Sequence, residues 1–134
     1  MRAVLDTNIL ISALFWRGAP HECLLSAEAG LYELILADEI FDELRDKLVD
    51  KFRNSDEEAD QIIRNIQGCT ELVQLQGLSG WVQDDPDDDK FIEAAIVSAA
   101  DVVVSGDHHL LLLQSVEGID ILTAREFLHR LAGA

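Results

Sequence analysis

Short apolar runs alternate with amphipathic segments along this chain of 134 residues. The runs have the length and composition of buried strands, and between them apolar positions recur at helical spacing, as at Ile40, Phe41, Leu44 and Leu48. The strand candidates are residues 2–5, 32–36, 71–74, 102–104 and 120–122. With about seven helices around these five strands, the pattern predicts a three-layer α/β/α sandwich, with strands buried under helices on both faces.

Four carboxylates stand where strands and helices meet. Asp6 ends the first strand, Glu43 lies in the opening turns of the third helix, Asp89 opens a later helix, and Asp107 follows strand 102–104. In a right-handed β-α-β unit the helix starts at the carboxyl edge of the preceding strand. We therefore expect all four at one rim of the sheet, the edge at which open α/β folds bind ligands.

Each acid alone also has a structural explanation. Asp6, Asp89 and Asp107 are suitable helix N-caps, and Glu43 can pair with Lys47 four residues later. Brought together, however, four carboxylates raise one another's pKa unless a cation neutralises them. An all-oxygen set of this kind suits a hard divalent ion, so the sequence predicts a Mg²⁺ or Mn²⁺ site.

The size of the chain, 14.9 kDa, indicates a single domain over residues 1–134. Its longest apolar stretch, residues 9–16, is too short to span a bilayer, and the N-terminus lacks the pattern of a secretory signal. We therefore expect a cytoplasmic protein without membrane contacts. Cys23 and Cys69 lie far apart without a zinc-ligand spacing, which favours reduced thiols.

The formal net charge of −16 and pI of about 4.3 argue against passive binding to nucleic acid. They do not exclude an enzyme acting on nucleic acid, because bound divalent ions reverse the local sign of charge. The nearest approach to a basic patch is a set of five residues, each of which is better explained as an ordinary solvated helix charge. This set is Arg45, Lys47, Lys51, Arg53 and Lys90.

Four segments, in this order along the chain, resemble the PIN-domain ribonucleases. They are VLDTNIL at 4–10, Glu43-Leu44 in an amphipathic helix, DPDDDKFI at 85–92 and VVSGD at 103–107. The resemblance is in particular to stand-alone PIN proteins classed as toxins of toxin–antitoxin systems (VapC-like). It implies a five-stranded parallel sheet and metal-dependent cleavage of single-stranded RNA.

The resemblance also implies the site residues. The acidic quartet falls on Asp6, Glu43, Asp89 and Asp107, all as metal ligands directly or through water, with Asn8 and Ser105 in supporting positions. Aspartates at 84, 85, 87, 88 and 89 compete for the third place. Asp89 is preferred because it opens the helix, and Asp88 comes next.

Mg²⁺ or Mn²⁺ at this site would activate water for phosphodiester hydrolysis, with Glu43 holding or orienting that water. Trp81, in the long loop before the helix, is a candidate for stacking on a base. The expected partners are a single-stranded RNA substrate, a small antitoxin and a second copy of the chain in a homodimer. The alternative is a catalytically degenerate PIN-like scaffold or partner-binding module.

Two other acidic α/β classes fit less well. A receiver domain needs paired acids at the first strand and a lysine ending the last, and neither is present. A phosphatase of the haloacid-dehalogenase type needs Asp-x-Asp after the first strand, whereas this chain has Asp6-Thr7-Asn8.

Overall fold

A six-stranded sheet organises the chain, and the computed structural model describes residues 1–133. Its strands are β1 (Arg2–Leu5), β2 (Glu33–Ala37), β3 (Thr70–Val73), β4 (Val102–Val104), β5 (Ser115–Val116) and β6 (Ile119–Leu122). They lie in the order β3-β2-β1-β4-β6-β5. All neighbouring strands pair in parallel except β5 and β6, which are antiparallel.

Seven helices connect and cover these strands. They are α1 (Thr7–Phe15), α2 (Ala19–Glu28), α3 (Asp38–Asp50), α4 (Asp56–Gln67), α5 (Asp89–Ser98), α6 (His108–Leu111) and α7 (Ala124–Ala132). A short 3₁₀ turn, Pro86–Asp88, leads directly into α5. The predicted α/β/α sandwich is confirmed.

The expected five-stranded sheet has one additional strand. β5 is two residues long and returns to β6 through a turn in which Glu117 and Gly118 both have positive φ, 49° and 83°. Such a turn suits the twist of an antiparallel pair. The hydrophobic pattern did not reveal β5 because two residues are too few to show a period of two.

The central strands are buried on both faces, which explains why they are continuous apolar runs. Val4, Leu5, Ile35 and Val103 have no exposed surface. β1 pairs in parallel with β4 in the register Leu5 to Val104. The residues that follow these two strands therefore emerge side by side at the carboxyl edge of the sheet.

Candidate active site

Asp6 and Asp107 are held together at the carboxyl edge by Ser105. The Ser105 hydroxyl donates to Asp6 Oδ2 and accepts from the Asp107 backbone N–H at 2.8 Å. Each aspartate also caps a helix, since Asp6 Oδ1 accepts from Ile9 N at 2.8 Å and Asp107 Oδ1 accepts from His109 N at 2.7 Å. Asp6 and Asp107 thus cap their helices and also lie close together, because the strands that precede these two helices are neighbours in the sheet.

A cavity of about 270 Å³ opens at this edge, which we call the rim cavity. Most of its lining side chains are acidic. The lining residues are Asp6, Thr7, Asn8, Glu43, Lys47, Asp85, Asp87, Asp88, Phe91 and Asp107. Carboxylate oxygens of Asp85, Asp88 and Asp107 lie within 4.8 Å of one another.

The third acid of the cavity differs from the preferred sequence choice. Asp89 is not among the lining residues; it is 4% exposed and accepts hydrogen bonds from the backbone N–H groups of Gly80, Trp81 and Val82 at 3.0, 3.0 and 2.8 Å. Asp88, the second choice, lines the cavity instead. The 3₁₀ turn before α5 directs the two adjacent side chains to different places, so the position of Asp89 at the helix start, the reason for preferring it, does not bring it into the cavity.

Asp85 is a cavity residue that the sequence analysis did not select. It precedes the 3₁₀ turn and brings a carboxylate oxygen close to those of Asp88 and Asp107. The acidic run at 84–89 was the available signal. That run indicated a carboxylate-rich loop, but it held no periodicity from which the inward-facing members could be chosen.

Glu43 reaches the cavity from α3 and is paired with lysines. Lys90 Nζ lies 2.5 Å from Glu43 Oε2, and Lys47 Nζ lies 3.9 Å from Glu43 Oε1. Burial raises the pKa of Glu43, but the hydrogen bond and charge of Lys90, with the charge of Lys47, outweigh burial and keep that pKa below its usual value. Glu43 therefore stays ionised.

Asp6 and Asp88, by contrast, have raised pKa values. Burial raises the pKa of Asp6 to about 6 against the opposing hydrogen bonds from Ser105 and Ile9. Burial raises the pKa of Asp88 to about 7, and the charges of Asp85 and Asp107 add to the shift. Among residues 1–133, Asp88 Oδ2 is also a buried atom without a hydrogen-bond partner.

This donor set fits a hard divalent cation. A cluster of carboxylate oxygens, one of them buried without a protein hydrogen bond, has both the charge and the free lone pairs that such an ion requires. Ionising the cluster without a cation is unfavourable, as the raised pKa values of Asp6 and Asp88 indicate.

His108, His109 and Trp81 lie outside the lining of the rim cavity. His108 and His109 begin α6, and His109 Nδ1 lies 3.8 Å from Asp84 Oδ2. Trp81 is partly buried against the core and lines a separate cavity of about 280 Å³ with His109. Neither histidine is among the residues that line the rim cavity.

The part of the chain that carries these acids matches a known protein family. The family model described as PIN domain matches residues 2–109. The chain belongs to the PIN-domain family. The match begins in β1 and ends in α6, so it contains each residue of the rim cavity. PIN-domain membership supports a nuclease, a hydrolase of phosphodiester bonds.

Two solved structures have a similar fold. A chain of VapBC2 from Rickettsia felis, crystallised with a DNA fragment from its promoter, has a TM-score of 0.65 and 14% identity, covering 90% of this chain and 97% of that chain. PAE2754 from Pyrobaculum aerophilum has a TM-score of 0.65 and 15% identity, covering 100% of this chain and 91% of that chain. At such identities the likeness concerns the fold. No protein of curated function has a significantly similar sequence.

The helices in residues 1–133 include none with the length and apolar character needed to cross a membrane.

Proposed function

We propose that this PIN domain is a metal-dependent endoribonuclease that cleaves single-stranded RNA in the cytoplasm. The observation that carries the proposal is the convergence of Asp85, Asp88 and Asp107 oxygens within 4.8 Å, beside Asp6 in the same cavity. A degenerate scaffold would have no need to keep these carboxylates together at the cost reflected in the raised pKa values of Asp6 and Asp88.

In this proposal Asp6, Asp88 and Asp107, with Asp85 beside them, hold Mg²⁺ or Mn²⁺. Such an ion, when bound, acidifies a water and stabilises negative charge developing on a phosphodiester. Asp89 anchors the loop at Gly80–Val82 and so keeps the turn bearing Asp88 in place. Ser105 sets the spacing of Asp6 and Asp107 by bonding to both.

Glu43 has a different part in the proposed reaction. Its pairing with Lys90 keeps it ionised and satisfies part of its charge, so it is less suited than Asp88 to neutralise a metal ion. An ionised carboxylate at the cavity wall is a good hydrogen-bond acceptor for water. Glu43 therefore orients the attacking water toward the phosphate.

The proposal is tested by RNA cleavage. Wild-type protein should cut a single-stranded RNA only in the presence of Mg²⁺ or Mn²⁺, and Asp6→Asn, Glu43→Gln and Asp107→Asn should each remain folded and lose most activity, about 100-fold or more. A matched DNA strand tests the preference for RNA. Equal cleavage by wild type and Asp6→Asn would assign the activity to a contaminant and sink the proposal.

We further propose that the chain is the toxin of a toxin–antitoxin pair and acts as a homodimer. The support is the family resemblance together with the shared fold of the VapBC2 chain. Expression of wild type should slow growth, Asp6→Asn should not, and co-expression of a cognate antitoxin should restore growth. Normal growth with active wild-type enzyme, in a host without an antitoxin, would contradict the toxin assignment.

A further inference from the structure

Two lysines approach Glu43 at the wall of the rim cavity, and their surroundings differ. Lys90 donates to the Asp87 carbonyl at 2.6 Å and lies 2.5 Å from Glu43, and its side chain is 14% exposed. Lys47 is 3.9 Å from Glu43 and 35% exposed, and it donates to Asn8 Oδ1 at 3.1 Å. Lys90 is thus the close partner of Glu43, whereas Lys47 makes a longer contact with Glu43 and has the more exposed side chain.

Lys47 is also distinguished from the other basic residues near α3. Arg45 is paired with Asp56 and Asp60 of α4 at 3.2 and 2.9 Å. Among residues 1–133, Lys47 is the single cation that lines the rim cavity. Because the chain has a net charge of −16, the electrostatic attraction of an RNA phosphate to this site requires a cation close to the cavity.

We infer that Lys47 binds a phosphate oxygen of the RNA at the rim cavity, and that Asn8 holds Lys47 in place for this contact. The inference rests on the proposed ribonuclease function. The Asn8 amide oxygen orients the ammonium through one donor and leaves two for a ligand, since a lysine ammonium has three. Asn8 is therefore a positioning residue and Lys47 a substrate contact.

This assignment predicts a specific kinetic signature. The phosphate is negatively charged both before and during cleavage, so its contact with Lys47 contributes to binding in both states. Lys47→Met should raise KM by about 10- to 100-fold, the range expected for one charge-assisted hydrogen bond. It should leave kcat within about threefold. Loss of one phosphate contact should also make the slope of log kcat/KM against log salt shallower by about 0.7.

The experiment compares Lys47→Met, Lys47→Arg and Lys51→Met with wild type on one single-stranded RNA across a sodium chloride series. Lys51 is an exposed lysine one helical turn further along the chain and lies outside the rim-cavity lining, so it controls for general charge. Lys47→Arg should keep KM near wild type, and Asn8→Ala should raise KM less than Lys47→Met. Thermal unfolding and the Mn²⁺ midpoint of each variant report on fold and metal binding.

The outcomes are distinct. A fall in kcat without a change in KM for Lys47→Met would mean that Lys47 acts through Glu43 and would overturn the inference. Equal effects of Lys47→Met and Lys51→Met would reduce it to general electrostatics and overturn it too. Unchanged kinetics in Lys47→Met, with active wild type, would refute the inference alone. Absence of metal-dependent cleavage in wild type would refute the proposed function itself.

Discussion

Asp88 and Asp89 are adjacent in sequence but have opposite environments. Asp88 has a buried oxygen without a hydrogen-bond partner among residues 1–133, and its pKa is raised to about 7 by burial and neighbouring acids. Asp89 receives three backbone hydrogen bonds from the loop at Gly80–Val82. One side chain is placed for a ligand, and the other stabilises the protein.

Substitution by asparagine should separate these two roles. Asp89→Asn should lower the free energy of unfolding by about 2 kcal/mol, because neutral acceptors form weaker hydrogen bonds. That loss corresponds to roughly 8 °C in Tm. Asp88→Asn should leave the metal-free Tm equal or higher near neutral pH and should remove the stabilisation by Mn²⁺. Thermal unfolding with and without Mn²⁺ measures both, and a large Tm loss in Asp88→Asn would contradict the assignment.

The raised pKa values of Asp6 and Asp88 predict a pH dependence of the metal-free protein. In the folded state these groups bind protons more tightly than in the unfolded state, where the usual value is 3.8. Their contribution to stability is therefore full below about pH 4 and is lost as the pH rises through about 6 for Asp6 and about 7 for Asp88.

The measurement is urea unfolding in chelator between about pH 5 and pH 8. Wild type should lose more stability over this interval than Asp88→Asn, which has no proton to release at that position. The difference between the two proteins cancels the shared effect of surface carboxylates. Parallel curves would show that Asp88 titrates normally.

At the scale of elements, the ion pair between Glu43 and Lys90 joins α3 to α5 at the side of Glu43, a residue of the rim-cavity lining. The two helices are also in contact with each other, and each contributes a residue without exposed surface to the core, Leu44 from α3 and Ile92 from α5. The pair is part-buried, so its contribution lies between those of exposed and buried ion pairs. Its main effect is on the charge state of Glu43.

Lys90→Met should cost about 1 kcal/mol of stability. It should also raise the pKa of Glu43, because burial would no longer be outweighed by the ammonium. The acidic limb of the kcat/KM profile should then move to higher pH, whereas Lys51→Met should leave the profile unchanged. An acidic limb that stays in place would exclude Glu43 as the group titrating there.

For the whole molecule, the net charge is −16, and six of the 26 acidic residues line the rim cavity at the carboxyl edge of the sheet. A divalent ion that binds the folded state and not the unfolded state should raise the free energy of unfolding by about 2.7 kcal/mol when its concentration is a hundredfold above its dissociation constant. This is roughly 10 °C in Tm for a chain of this size. Asp107→Asn should abolish most of the gain.

The control for that titration is sodium chloride of matched ionic strength, which screens the acidic surface without entering the cluster. An equal rise in Tm with sodium chloride and with Mn²⁺ would attribute the stabilisation to screening. Unchanged Tm in both salts would argue against a metal site at Asp6, Asp88 and Asp107.

The sequence determined the architecture and the positions of Asp6, Glu43 and Asp107 on it. Buried strands and amphipathic helices have distinct periods, and in a parallel sheet the carboxyl ends of the strands lie at one edge. Asp6 follows β1 directly and Asp107 lies three residues after the end of β4, so their location at the carboxyl edge needed no further information. The short antiparallel strand β5 was not predicted, because two residues are too few to show an alternation of apolar and polar positions.

Tertiary structure decided which aspartate of the 84–89 run lines the cavity and which lysine pairs with Glu43. Side-chain direction in the 3₁₀ turn depends on backbone angles that the acidic run does not specify, so the helix-start position that favoured Asp89 did not show that Asp88 lines the cavity. Lys47 is four residues from Glu43, yet the closer partner is Lys90 on α5. Such pairings depend on the packing of α3 against α5, a long-range contact that local patterns do not contain.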